Sequence, residues 1–259
     1  MSAPGASWRR VLAALGAVLT RNWTVLALVL AWELWVRARH LNAIVVPAPY
    51  AVVSDIVRNP SAYAGPLGHT LLNSAVGLVL GMALGVCCAV AVWSSRVLLG
   101  LLTPLVMIMR AVPVVAMIPV IAVVTGYGAA AVTTVTTLVS LFPAFVMVLS
   151  GLRSAPAAMT DVFTVLGASR LTVLRRLLLP HAVPHFLVAL RLTAPSAVLA
   201  VMLAEYLLGR EGLGTLFADA TIFVAPQRAW GGALIATVVS VGCFVAARGV
   251  ERRYAARFR

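Results

Sequence analysis

Long apolar runs constrain this chain more than any other feature of its sequence. Hydrophobic residues make up 62% of the 259 residues and charged residues only 10%, whereas soluble domains are about half apolar and a quarter charged. A water-soluble fold of this length has too little interior to bury so much apolar surface. The solvent must therefore be the bilayer, where helices satisfy their own backbone hydrogen bonds.

Six apolar stretches are each about as long as a helix that crosses a 30 Å hydrocarbon core. They predict an all-α, polytopic membrane protein with about six transmembrane helices, at residues 22–38, 70–94, 97–125, 129–150, 184–208 and 230–248. The third stretch contains Pro104, Pro113 and Pro119, which predict kinks because each proline removes a helical hydrogen bond. Segment 40–69 is predicted to hold one short amphipathic helix near Tyr50–Arg58.

The basic residues predict the orientation. All twenty are arginine, and the net charge is +13. Placing the N-terminus in the cytoplasm puts most arginines on the inner side, where basic residues of membrane proteins accumulate and meet anionic lipid. We therefore expect a multi-pass plasma-membrane protein with both termini cytoplasmic, and membrane lipid rather than nucleic acid as the partner of this charge. Heavy use of alanine, valine, arginine, glycine and proline without lysine indicates a GC-rich bacterial genome.

The sequence offers no catalytic constellation. Without lysine, the chain lacks the residue that a P-loop places on phosphates and the amine that a Schiff base requires. His181 and His185 have a spacing that can hold a metal, but two prolines interrupt the helix and no third ligand is near. We expect neither catalytic residues, nor a metal site, nor a cofactor in this chain.

The segment between the fourth and fifth spans, residues 151–183, is the most informative. Pro156 suits a helix start, Gly167 can end that helix with positive φ, and Ser169 can cap the next one. Pro180 is expected to end the second helix. The second helix carries its leucines on one face and its arginines elsewhere, which predicts an amphipathic helix with a docking face; the leucines are Leu171, Leu174, Leu177 and Leu178, and the arginines are Arg170, Arg175 and Arg176.

This segment resembles the EAA loop of binding-protein-dependent ABC permeases. That loop has an acid, a glycine six residues later, an aliphatic residue ten further on, and then Leu-Pro. Gly167, Leu177, Leu179 and Pro180 match in register, Asp161 stands where glutamate is usual, and Val162-Phe163 replace two alanines. The resemblance implies that the segment inserts into a separate ATPase subunit, through Asp161, Gly167, Ala168, Ser169, Arg170, Arg175, Arg176, Leu177 and Pro180.

Further motifs, in order along the chain, are similar to those of nitrate, sulfonate and taurine permeases. They are Pro47-Ala-Pro49, Arg110-Ala-Val-Pro113, Ala116-Met-Ile-Pro119, Gly126-Tyr-Gly128, Phe142-Pro143, Gly151-Leu152-Arg153, Ala204-Glu205 and Gly212-Leu213-Gly214. The resemblance implies the type I ABC permease fold and an ATP-driven importer for a small, anionic or polar solute. It also implies an ABC ATPase that carries ATP and Mg, an external solute-binding protein, and a second permease copy in a homodimer.

On this interpretation the chain has three parts. Residues 1–65 form an N-terminal tail, the first transmembrane helix and an external loop; residues 66–250 form the permease domain; and residues 251–259 form a basic cytoplasmic tail. Arg110, Pro113, Pro119 and Glu205 are candidates for the translocation path. Arg110 either faces an anion in that path, since guanidinium suits oxyanions, or is a structural partner of Glu205 or part of a gate.

Two questions stay open at this stage. Gly77, Gly81 and Gly85 form a stripe of small residues that allows close helix packing, either within the chain or at a dimer interface. A secondary transporter driven by an ion gradient is the alternative function; it predicts broken helices or acids at the midplane and often an inverted repeat.

Overall fold

The computed structural model describes residues 23–257, without the side chains of Thr103, residues 105–107, residues 109–111 and Arg257. The N-terminal tail that the sequence predicts, apart from its helix, lies outside this range. The helices of the described part are α1 Trp23–Ala38, α2 Pro49–Arg58, α3 Pro60–Ser94, α4 Arg96–Ala111, α5 Val114–Thr125, α6 Ala129–Leu152, α7 Ala157–Val165, α8 Arg170–Val173, α9 Leu179–Leu208, α10 Leu213–Ile222 and α11 Pro226–Arg257, with a π-helical turn at Leu174–Leu178.

Within the described residues, four helices are long and apolar enough to cross a membrane. They are α3, α6, the continuous helix Arg170–Leu208 and α11. No strand occurs in the part of the chain that is described. The all-α, polytopic membrane fold is thus confirmed, and among the described residues α1 coincides with the first predicted span, whereas the third predicted span is divided into α4 and α5.

The division between α4 and α5 falls at Val112 and Pro113. Val112 is extended, with φ −77° and ψ 124°, because the proline ring that follows disfavours the α region. Pro104 and Pro119 lie inside α4 and α5 without ending either helix. The sequence predicts a kink at each proline, and at Pro113 the structure replaces the kink with a complete break.

The short amphipathic helix predicted near Tyr50–Arg58 is confirmed as α2. Its backbone N–H at Tyr50 donates to the Glu33 carboxylate of α1 at 3.2 Å. Asp55 accepts hydrogen bonds from Asn59 and from Tyr63 of α3, and Trp32 of α1 contacts Trp230 of α11. These contacts place α2 across the same end of the bundle as the beginnings of α3 and α11.

The glycine stripe packs α3 against α6 of the same chain. A Cβ atom at Gly81 would lie 2.5 Å from the Cβ of Ser140 and from the carbonyl oxygen of Thr137. Gly77 and Gly85 face Thr136 and Ala144 in the same way. The question that the sequence leaves open is therefore answered: the stripe is used inside the chain, where small residues let two backbones approach closely.

This packing predicts opposite effects for two glycine-to-alanine substitutions. Gly81→Ala should destabilise the protein by about 1–3 kcal/mol, because an atom is forced into a filled contact. Gly242→Ala, on an exposed face of α11 with nothing within 4 Å, should be neutral or slightly stabilising because alanine is the better helix former. Thermal unfolding of the detergent-solubilised variants measures both effects. If Gly81→Ala and Gly242→Ala had the same melting temperature, the close packing at Gly81 would be contradicted.

Candidate functional site

Helix α7 projects from the bundle. None of its residues is buried, and it begins directly after Pro156, whose missing N–H costs nothing at a helix start. Two apolar side chains at its far end are almost fully exposed, Val165 at 86% and Leu166 at 76%. Phe163 of α7 packs against the core of the bundle, while the exposed apolar end of the helix is available to a partner.

The turn after α7 is rigid. Gly167 has φ +68°, as the sequence predicts, and two hydrogen bonds close the turn, from the N–H of Gly167 to the carbonyl of Thr164 and from the N–H of Ala168 to the carbonyl of Phe163. This pair of bonds is the Schellman arrangement, which requires a residue in the left-handed region at the glycine position. Ser169 then caps α8, accepting from the N–H of Thr172 at 3.2 Å, as predicted.

The expectation that Pro180 ends the second helix is wrong. The N–H of Leu179 donates to the carbonyl of Leu174, so that a widened π-turn joins α8 to α9, and the helix runs from Arg170 to Leu208. A proline inside a regular helix clashes with the carbonyl four residues earlier. The wider turn directly before Pro180 relieves that clash without breaking the helix.

The leucines of this turn face the chain's own core. Leu174, Leu177 and Leu178 are buried and pack in one cluster with residues of α3 and α6, among them Ala89 and Phe145. Leu171, which the sequence predicts on the same face, is exposed. The docking face of the amphipathic helix therefore binds the bundle itself, and the surface left for a partner contains Asp161, Gly167, Ser169, Arg170, Arg175, Arg176 and Pro180.

Glu205 occupies a second polar site at the other end of the helix. Its side chain is fully buried, and its carboxylate accepts hydrogen bonds from Thr70 Oγ1 at 2.6 Å, from Asn73 Nδ2 at 3.3 Å and from the N–H of Gly214 at 3.2 Å. The N–H of Leu213 donates in turn to Thr70 Oγ1 at 2.8 Å. One carboxylate thus ties α9 to α3 and to the start of α10.

Sequence reasoning selected Glu205 but missed the groups that bind it. Thr70 and Asn73 stand more than 130 positions away along the chain, and no local pattern marks them. The Gly212-Leu213-Gly214 motif is the signal that could have pointed there: Gly212 has φ +118°, and a Cβ at either glycine would collide with Glu205 or its backbone neighbours. Gly212 makes room for the carboxylate, and Gly214 lets the start of α10 approach the backbone of α9.

The remaining path candidates lie around the break in the third predicted span. Arg110 is in the last turn of α4, and its side chain lies outside the description. Pro113 is at the break itself, and Pro119 lies within α5. Beside the break, a half-open cavity of about 170 Å³ separates α5 from α6.

Comparison with known proteins identifies the family. Residues 65–259 match the family model described as binding-protein-dependent transport system inner membrane component. The chain is 29% identical over 193 residues to a probable ABC transporter permease protein of Haemophilus influenzae, covering 74% of this chain and 79% of the relative. It is 30% identical over 192 residues to the formylaminopyrimidine transport permease protein ThiX of Halalkalibacterium halodurans, covering 73% and 76%.

Other similarities agree. The taurine transport system permease protein TauC of Escherichia coli is 24% identical over 250 residues, covering 92% of this chain and 86% of the relative. Among solved structures, the inward-facing MetNI methionine ABC transporter matches with TM-score 0.57 and 20% identity over 79% of this chain and 98% of that one. An amino acid ABC transporter with histidines matches with TM-score 0.64 and 14% identity over 78% and 97%; both show the fold.

The chain therefore belongs to the family of binding-protein-dependent ABC transporter permeases and has their type I fold. Members of this family are non-catalytic membrane subunits that work with an ATPase and a binding protein in a transport complex.

The Glu205 site predicts coupling between two distant residues. Thr70→Val and Glu205→Gln should each destabilise the protein by about 1–3 kcal/mol, because each leaves a buried polar group without its partner. The double variant should be destabilised by about 0.5–3 kcal/mol less than the sum of the two single variants, since both changes act on the same hydrogen-bond network. Melting temperatures of the four proteins measure the coupling.

Thr134→Val is the matched control, because the Thr134 hydroxyl is exposed and donates to the Ala130 carbonyl of its own helix. It should show no coupling to Glu205→Gln. If the losses of unfolding free energy in Thr70→Val and Glu205→Gln were additive, the proposed coupling through the Glu205 hydrogen bonds would be wrong.

Proposed function

We propose that this chain is the membrane-spanning permease subunit of an ATP-driven importer for a small polar or anionic solute. Two copies form the path between them, an ABC ATPase binds ATP and Mg on the inner side, and a solute-binding protein delivers the solute from outside. The observation that carries the proposal is α7, a helix without buried residues that ends in exposed apolar side chains and belongs to the segment that resembles an EAA loop.

The proposed role of the loop is to transmit a displacement of the ATPase to the membrane helices. Val165 and Leu166 at the end of α7 are the apolar contacts, and the charged residues Asp161, Arg170, Arg175 and Arg176 surround them. Gly167, Ala168 and Ser169 fix the geometry of the turn, and the π-turn before Pro180 keeps the following helix continuous. Leu177 is buried, so that its part is to hold the loop on the bundle.

The far end of that continuous helix supports the same mechanism. From Arg170 to Glu205 the helix spans about 50 Å at 1.5 Å per residue, which is more than the thickness of a membrane core. A displacement at the loop therefore reaches α10 and α3 through the carboxylate of Glu205. We propose that Glu205 acts on the path by holding these helices, while Pro113 and Pro119 shape the path and Arg110 lies beside it.

One observation favours the alternative of an ion-gradient-driven secondary transporter. Such proteins often have discontinuous helices near the midplane, and the α4–α5 break is one. The permease family match over residues 65–259 and the exposed α7 favour the ATP-driven importer. Co-purification of an ATPase with vanadate-sensitive activity supports the importer, whereas transport by the chain alone under a proton or sodium gradient supports the alternative.

A charge reversal tests the coupling role. Arg175→Glu with Arg176→Glu should lower ATP-driven uptake at least tenfold while the complex stays in the membrane, because two exposed cations at the proposed interface become anions. Arg252→Glu with Arg253→Glu, an equal charge change on exposed residues of α11, is the control and should retain uptake. Uptake and ATP hydrolysis are measured on the same proteoliposomes.

Gly167→Pro is a second test of the same role, since proline cannot adopt the positive φ of this position. It should uncouple hydrolysis from uptake. Unchanged uptake in both the charge-reversal and the Gly167 variants would refute the coupling assignment.

The proposed orientation has both termini and α7 in the cytoplasm. After Cys87, Cys88 and Cys243 are replaced by serine, Val165→Cys should react with a membrane-impermeant maleimide only in inverted vesicles. Phe223→Cys, exposed just after α10 at the opposite end, should react only in right-side-out cells. The reverse pattern would show the inverted topology.

A further inference from the structure

An open groove lies between α1 and α2, at the end of the bundle where α3 begins. Its volume is about 650 Å³, and apolar side chains line both of its walls, among them Val29 and Leu30 of α1 and Val53 and Val57 of α2. An apolar cavity of about 150 Å³ holds one benzene molecule. The groove therefore has room for a chain of many carbons rather than for one small ring.

The α2 wall of this groove is fixed by polar contacts on the other side of the helix. Asp55 accepts a hydrogen bond from the hydroxyl of Tyr63 in α3 and lies 3.8 Å from Nε of Arg228 in α11. With α2 held in this way, Val53 and Val57 line the groove and remain 50% and 72% exposed. A groove whose wall is anchored to two other helices is largely preformed for a ligand.

Aromatic side chains indicate that the groove lies at the membrane surface. Trp35 of α1 and Tyr50 of α2 are exposed, and Trp32 packs against Trp230 of α11 with ring centroids 5.0 Å apart. Tryptophan and tyrosine concentrate where lipid headgroups meet hydrocarbon. An amphipathic helix such as α2 lies with its apolar side in the same region. The groove is therefore accessible to lipids of the surrounding bilayer.

The charged residues that line the groove carry a net positive charge. Arg37 and Arg58 lie in the last turns of α1 and α2, and Glu33 is the one acid beside them. One oxygen of Glu33 accepts from Arg37 Nε at 2.6 Å, and the other accepts from the N–H of Tyr50 at 3.2 Å. Arg58 forms no ion pair with any residue that the structure describes. Its guanidinium donors suit a phosphate group.

We propose that this groove binds one anionic phospholipid, with an acyl chain along the apolar walls and the phosphate at Arg58 and Arg37. A neutral lipid matches the walls but not the charge, and a free anion matches the charge but not the walls. In the proposed orientation the lipid belongs to the outer leaflet, where the accumulation of basic residues on the cytoplasmic side does not account for these two arginines. The site goes beyond the proposed function and does not depend on the ATPase.

Native mass spectrometry of the full chain, purified in mild detergent with the subunits that accompany it, tests the proposal. Phosphatidylglycerol and phosphatidylcholine with the same acyl chains are titrated separately, and the lipids bound to each copy of the chain are counted. We expect one saturable phosphatidylglycerol site per copy. Its affinity should be about tenfold higher than that for phosphatidylcholine, because choline offsets the phosphate charge that the arginines bind.

Two pairs of variants locate the site. Arg58→Gln should lower the affinity for phosphatidylglycerol about tenfold, whereas Arg210→Gln, the same charge change on an exposed residue outside the groove, should not. Val53→Trp should fill the groove and abolish the site for both lipids, whereas Val245→Trp, on an exposed face of α11, should keep it. Melting temperatures in detergent without lipid show whether each variant is folded.

Several results would overturn the lipid site. They are the lack of a saturable phosphatidylglycerol site, equal affinities for the two phospholipids, equal losses in the Arg58 and Arg210 variants, and undiminished binding in Val53→Trp. Displacement of phosphatidylglycerol by inorganic phosphate would assign the arginines to a free anion instead. Val57→Cys in a chain without its native cysteines tests the remaining occupant, since disulfide-linked dimers would show that a second copy covers the groove.

Discussion

The hydrogen bonds of one buried carboxylate determine how the described helices meet at one end of the bundle. Glu205 of α9 accepts from Thr70 and Asn73 of α3 and from Gly214 of α10, so that one side chain joins three helices. Buried polar groups are costly when unpaired and strong when paired. The short helix α10 has few other polar anchors, and its position depends on the two backbone N–H groups that point into this network.

The bundle divides into a closely packed centre and a set of exposed helices. Contact between α3 and α6 is so close that glycine is needed at three positions spaced four residues apart, which makes this pair the most closely packed part of the described bundle. Helices α5 and α7 instead leave valines exposed, such as Val123 at 88% and Val165 at 86%. Closely packed helices such as α3 and α6 move together and can transmit a displacement. Exposed apolar faces contact lipid or another subunit.

Local chemistry explains what the sequence could predict. The positive φ of Gly167, the cap at Ser169 and the amphipathic helix α2 follow from residue types within a few positions, and the structure confirms each. The partners of Glu205 and of the glycine stripe are distant in sequence, and hydropathy does not specify which helices become neighbours. Leu171 is exposed while Leu174, Leu177 and Leu178 are buried, and the sequence does not specify how much of that helix face the bundle covers.

Pro113 and Pro180 show why proline alone does not predict a helix end. Val112 takes the extended conformation that a following proline prefers, and the helix stops there. Leu179 keeps helical angles before Pro180, because the preceding turn is widened and buried leucines hold it against α3 and α6. Tertiary packing therefore decides between the two outcomes. Pro113 leaves a break beside the cavity between α5 and α6, and Pro180 leaves a continuous helix that is long enough to cross a membrane.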